Sequence, residues 1–113
     1  MAVSSPSAAL GAGLVLAALL APGSLRAEGE AACARDVLVA GSMQRQAIEQ
    51  LEGGGEDEAS LCRVWRRHVD TMRRIAGVYG RCLSGPERTE RLTQVQTSEK
   101  EFSGLLRSRC RGM

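Results

Sequence analysis

Histidine occurs once, lysine once and aromatic residues three times in these 113 residues, and each shortage removes a class of chemistry. Zinc needs three or four ligands, and His68 has no second imidazole beside it. No Cys-x-x-Cys spacing occurs, which favours structural bonds over redox chemistry, and the haem-attachment signature Cys-x-x-Cys-His is absent too. A non-covalent haem would have to use His68 with Met43 or Met72 in a chain with almost no aromatic wall, so the methionines read as core fillers. No Gly-x-Ser-x-Gly frames a serine nucleophile. Asp70 falls on the wrong face of its helix to orient His68 as a base. Glu87 and Glu90 are first-turn acids, and the spacing of Glu99 and Glu101 sends their side chains to different faces. No nucleophile, base and orienter can be assembled, so the expectation is a non-enzymatic protein without cofactor or metal.

Also missing is an apolar run of the ~20 residues that a mature membrane helix needs. The longest candidate, within Ala8–Ala21, has the length of a signal-peptide hydrophobic region. Pro22-Gly23-Ser24 is expected to break it. Cleavage is expected after Ala27, with Gly23 as the alternative site. The first segment, MAVSSPS, contributes positive charge only through its α-amino group. Residues 1–27 are therefore expected to be a signal peptide and 28–113 a mature domain of 86 residues without a stable membrane span. Fourteen of the fifteen basic residues are Arg, Lys100 being the exception. The mature charge is close to balanced, so no global field steers the protein to nucleic acid or membrane.

What the chain does have is four cysteines at Cys33, Cys62, Cys82 and Cys110, separated by 28, 19 and 27 residues. An even count in a small exported domain reads as two disulfides in a secreted or periplasmic setting. The stretches between them have helical periodicity, and none alternates like a strand. Helix 1 is expected over about Ala31–Glu52, with Val37, Leu38, Met43, Ala47, Ile48 and Leu51 as its apolar face, stopped by Gly53-Gly54-Gly55. Helix 2 is expected over Asp57–Leu83, after a run of acids suited to a first turn. Its stripe of Leu61, Trp65, Val69, Met72, Ile75, Tyr79 and Leu83 is the best formed in the chain. Helix 3 is expected from Pro86 to about Arg109, with Leu92, Val95, Phe102, Leu105 and Leu106 facing inward.

Three helices joined by tight turns predict an all-α, antiparallel up-down-up bundle. That topology selects the disulfides. Cys62 and Cys82 lie at opposite ends of helix 2, about 30 Å apart at 1.5 Å per residue, too far to bond. Cys33 and Cys62 are excluded on the same ground. The staples are therefore Cys33–Cys82 and Cys62–Cys110. The pair Gly77-x-x-Gly80 inside helix 2 costs helix stability. It is expected to admit a close approach of helix 1 or a bend toward Cys33.

For function, Arg66, Arg67, Arg73, Arg74 and Arg81 fall opposite Trp65, Met72 and Tyr79, with Asp70 the one acid among them. Such a stripe either remains a solvated face or contacts another protein or an acidic surface through directional guanidinium forks. The expected function is an interaction protein, an inhibitor or accessory subunit, using this basic face. The alternative is a small-ligand or ion carrier with an interhelical pocket near Gly41, His68 and Phe102. Trp65 and Tyr79 are expected as core anchors.

Overall fold

The computed structural model describes residues 5–112, with side chains from Arg26 onward; Met1 to Ser4, the start of the predicted leader, lie outside the described residues. It contains helices α1 (Ser5–Glu52), α2 (Glu58–Cys82) and α3 (Gly85–Arg109), and no strand among the described residues. The chain divides into two compact units, residues 1–32 and 33–113. The first is the N-terminal part of α1. The second joins the rest of α1 to α2 and α3 and is the stapled three-helix bundle.

Five of the six helix ends match the expected bounds to within a residue, and one does not. Helix α1 does not begin near Ala31, and Pro22-Gly23-Ser24 does not interrupt it. The Ala- and Leu-rich run upstream has high intrinsic helix propensity, and propagation from such a run is favourable once a helix has nucleated.

Cys33 bonds Cys82 and Cys62 bonds Cys110, with Cα atoms 5.1 and 5.9 Å apart. The lower end of α2 is thus tied to α1 and its upper end to the end of α3. Intermediate contacts repeat the antiparallel register. On the α1 side Arg81 meets Asp36, and the Tyr79 hydroxyl donates to Gln44 Oε1 at 3.2 Å. On the α3 side Arg91 stacks over the Tyr79 ring and Arg73 bonds Glu99.

The interior forms two apolar clusters, one toward each disulfide. The lower one is Ala40, Ala47, Met72, Ile75, Tyr79 and Val95, with Met43, Leu83 and Leu92 against it. The upper one is Cys62, Trp65 and Cys110, with Leu51, Leu61, Phe102, Leu105 and Leu106 packed around it. Trp65 and Tyr79 are both buried, as expected of core anchors. Helix 1 differs from expectation. Leu38 is 75% exposed and Ile48 46%, while Ala40, absent from the expected face, is buried. At about 100° per residue, Leu38 and Ala40 point to nearly opposite sides, so a face that buries Ala40 and Ala47 must expose Leu38.

The turns need glycine at two places. A Cβ on Gly55 would collide with the Ser60 side chain, and Gly85 opens α3 with φ of +62°. The pair within α2 is different. A Cβ on Gly77 or Gly80 would meet nothing within 4 Å, so neither admits a close approach of α1.

Two predictions follow from this packing. Gly77→Ala and Gly80→Ala should each stabilise the fold by about 0.5–1 kcal/mol, because α2 gains propensity without a clash. Gly55→Ala should destabilise it. Thermal unfolding of the three variants measures this, and a loss of stability at Gly77 or Gly80 would mean those sites are not open. Second, each disulfide closes a loop of about 50 residues, for which the chain-entropy model gives roughly 4 kcal/mol. Adding a reductant, or replacing Cys33 and Cys82 together by Ser, should lower the melting temperature by more than about 10 °C. An unchanged melting curve would remove the structural role of the bonds.

Candidate functional site

Four of the six arginines of α2 form two doublets, Arg66-Arg67 and Arg73-Arg74, seven residues apart. Consecutive side chains on a helix diverge by about 100°, so the doublets cannot share one face. The structure sends one member of each doublet to each flank of α2. Arg66 and Arg73 line the α3 side, together with Val69, Asp70, Ser103, Leu106 and Arg107, in a cleft of about 270 Å³. Arg67 and Arg74 line the α1 side, with Met43, Gln46, Ala47, Gln50 and Thr71, in a cleft of about 240 Å³. Arg81 stands apart at the lower end, 3.6 Å from Asp36. The single stripe expected from the sequence is therefore two edges and an end group.

The two edges differ electrostatically. On the α3 edge Arg73 Nε donates to Glu99 Oε1 at 2.7 Å, and Arg66 is likewise engaged. An adjoining cleft of about 450 Å³ adds Lys100 and Gln96 to Arg73, Glu99, Ser103 and Arg107, so Glu99 stands there among three cations. On the α1 edge no carboxylate among the described residues lies within ion-pair distance of Arg67 or Arg74. The other polar walls are the amides of Gln46 and Gln50 and the Thr71 hydroxyl, which donates to the Arg67 carbonyl at 2.9 Å. Sequence reading missed Gln46, Gln50, Lys100 and Arg107. The two glutamines stand one turn apart on α1, which was the available signal.

His68 lies at the junction of the two apolar clusters and is only 4% exposed. Its Nε2 bonds the Ser98 hydroxyl at 2.7 Å, and its ring centroid stands 4.6 Å from that of Phe102. Trp65 is tilted against Phe102 with ring centroids 6.4 Å apart, and the Arg109 guanidinium lies over Trp65. Nδ1 is buried without a hydrogen-bond partner. Burial pushes the imidazole below its ordinary value near 6.5. The Ala47 backbone, without meeting hydrogen-bond geometry, and the Glu101 carboxylate pull the other way.

The expected trio of Gly41, His68 and Phe102 is brought together only in part. Phe102 packs on His68, but the α1 residue level with His68 is Ala47. Gly41 lies six residues away, about 9 Å along the helix, and a Cβ there would face the Arg45 side chain. Ser98, one turn before Phe102, was the polar partner missed. Among the described residues no group of three or more His, Cys, Asp and Glu side chains could hold a metal ion, and all four cysteines are spent in disulfides. Nor, among them, is any helix long and apolar enough to cross a membrane.

Comparisons with protein-family models, with curated proteins and with solved structures find no match.

The neutral, buried His68 gives a signed pH dependence. Its folded value is depressed, so the unfolded chain binds the proton more readily and the His68 contribution is lost as pH falls from about 6.5 through the folded value. We expect wild type to lead His68→Gln in melting temperature at about pH 8, and the gap to narrow toward about pH 5. A gap that does not change with pH would contradict a histidine buried in its neutral form.

Proposed function

We propose that this chain is an exported, non-enzymatic interaction protein, an inhibitor or accessory subunit in type, whose α2 arginines contact an acidic partner protein. In this reading residues 1–27 are a signal peptide and the mature domain works in a secreted or periplasmic setting. The two disulfides support that setting, because such bonds persist in oxidising compartments. The observation that carries the proposal is the uncompensated pair Arg67 and Arg74, facing amides across an open cleft. Guanidinium forks offer directional, bidentate recognition of carboxylates. Among the described residues neither arginine enters an ion pair within the fold.

A solvated arginine folds as well as a bound one, so the test is capture rather than stability. The oxidised mature chain is used as bait for the native exported fraction, beside a variant with Arg66, Arg67, Arg73 and Arg74 replaced by Glu. We predict that wild type retains an acidic protein at low ionic strength, that raising the salt releases it, and that the variant captures none of it. Equal capture by the two baits at low salt would defeat the proposal.

A further inference from the structure

We infer that the α1/α2 cleft receives an acidic amphipathic helix, one that presents two carboxylates two turns apart with apolar residues between them. This rests on the reading of α2 as a contact surface and specifies its partner.

The cleft supplies a ruler. Arg67 and Arg74 are seven residues apart on one helix, so their stems stand about 10.5 Å apart along the axis of α2 and on the same side of it. Carboxylates at i and i+7 of a second helix have the same separation and the same side. An extended segment does not match as well. Its residues on one face recur at ~6.8 and then ~13.6 Å, and neither separation matches 10.5 Å. The arginines therefore select a helix lying along the groove between α1 and α2.

The floor and the facing wall fit such an occupant. Between the two arginines the floor is Met43 and Ala47, which would take the partner's i+3 and i+4 side chains. Val39, one turn from Met43 on α1, is 57% exposed. Gln46 and Gln50 face the arginines and offer amides to the partner's polar flank. Charge complementarity distinguishes this groove from the α3 edge. There Glu99 already holds Arg73 and Asp70 shares the cleft, so an incoming carboxylate would have to displace or oppose an acid. On the α1 edge the lining includes no carboxylate.

The test uses labelled, end-capped helical peptides of about 18 residues on an Ala/Gln background. One carries Glu at i and i+7 with Leu at i+3 and i+4. The other has the same composition with Glu at i and i+5, on different faces. Fluorescence anisotropy with the oxidised full chain at low ionic strength should show the first binding about tenfold more tightly. Arg67→Ala or Arg74→Ala should each abolish that margin, and Arg66→Ala should leave it. Equal binding of the two peptides, or a margin that survives at both Arg67 and Arg74, overturns the inference. So does free octanedioate displacing the peptide with comparable affinity, which would make this a small-dianion site. If the peptides show no margin while charge reversal still abolishes capture from the exported fraction, the groove assignment fails and the broader proposal stands. If capture also ignores charge reversal, both fail.

Discussion

Helix α2 is held covalently at both ends, to α1 below and to α3 above, and the rest of the bundle is arranged by that clamp. A domain of this size buries a modest core, and few large side chains are available here to fill one. The bonds shift the balance by restricting the unfolded chain rather than by adding contacts to the folded one. They also fix register. With Cys33 against Cys82 and Cys62 against Cys110, neither neighbour of α2 can slide by a turn. The apolar stripe of α2 is consequently the spine on which both clusters are built, and its outer surface is left for other work.

The interior is not uniform. Two apolar clusters meet at His68, whose ring is satisfied at Nε2 by Ser98 and unsatisfied at Nδ1. A buried polar atom without a partner costs free energy that an apolar residue would not. The aromatic side chains are used economically around it. Phe102 seals the imidazole, Trp65 seals Phe102, and Arg109 covers Trp65. Tyr79 does the corresponding work below, with its ring in the core, its hydroxyl on Gln44 and Arg91 above it. A chain with three aromatic residues has placed each where it spans between helices.

The disulfide connectivity was legible from the sequence because the helix is a rigid ruler. Once the cysteines fall at helix ends, the rise per residue leaves one pairing for an up-down-up bundle. The stripes of α2 and α3 were legible for the same reason, since Ile75 and Val95 lie where a single periodicity puts them. Helix α1 was less readable. Its apolar residues are spread around the cylinder, and only packing against α2 and α3 decides that Ala40 turns inward and Leu38 outward. A small residue such as Ala40 carries little signal in sequence, although helices can approach closely over it, whereas Ala47 lies inward as its place in the periodicity suggests. The arginine stripe misled because residues counted as one face were adjacent doublets. The turn per residue separates them, and their two flanks meet different neighbours. Gly77 and Gly80 suggested close packing where the structure has open space, and no other feature of the fold explains them. Ser98 was hidden because a serine within a helix advertises no partner until the opposing helix is in place.

The two disulfide loops interleave along the chain: the second opens at Cys62, before the first closes at Cys82. Every peptide bond between Cys33 and Cys110 is therefore spanned by at least one disulfide. A protease that cuts the glycine turn after Glu52 leaves its two products joined through Cys33–Cys82. A cut in the turn before Gly85 leaves them joined through Cys62–Cys110. In a compartment where exposed turns meet hydrolases, a single nick opens the backbone without releasing a fragment, and the helices stay tethered within reach of their original partners.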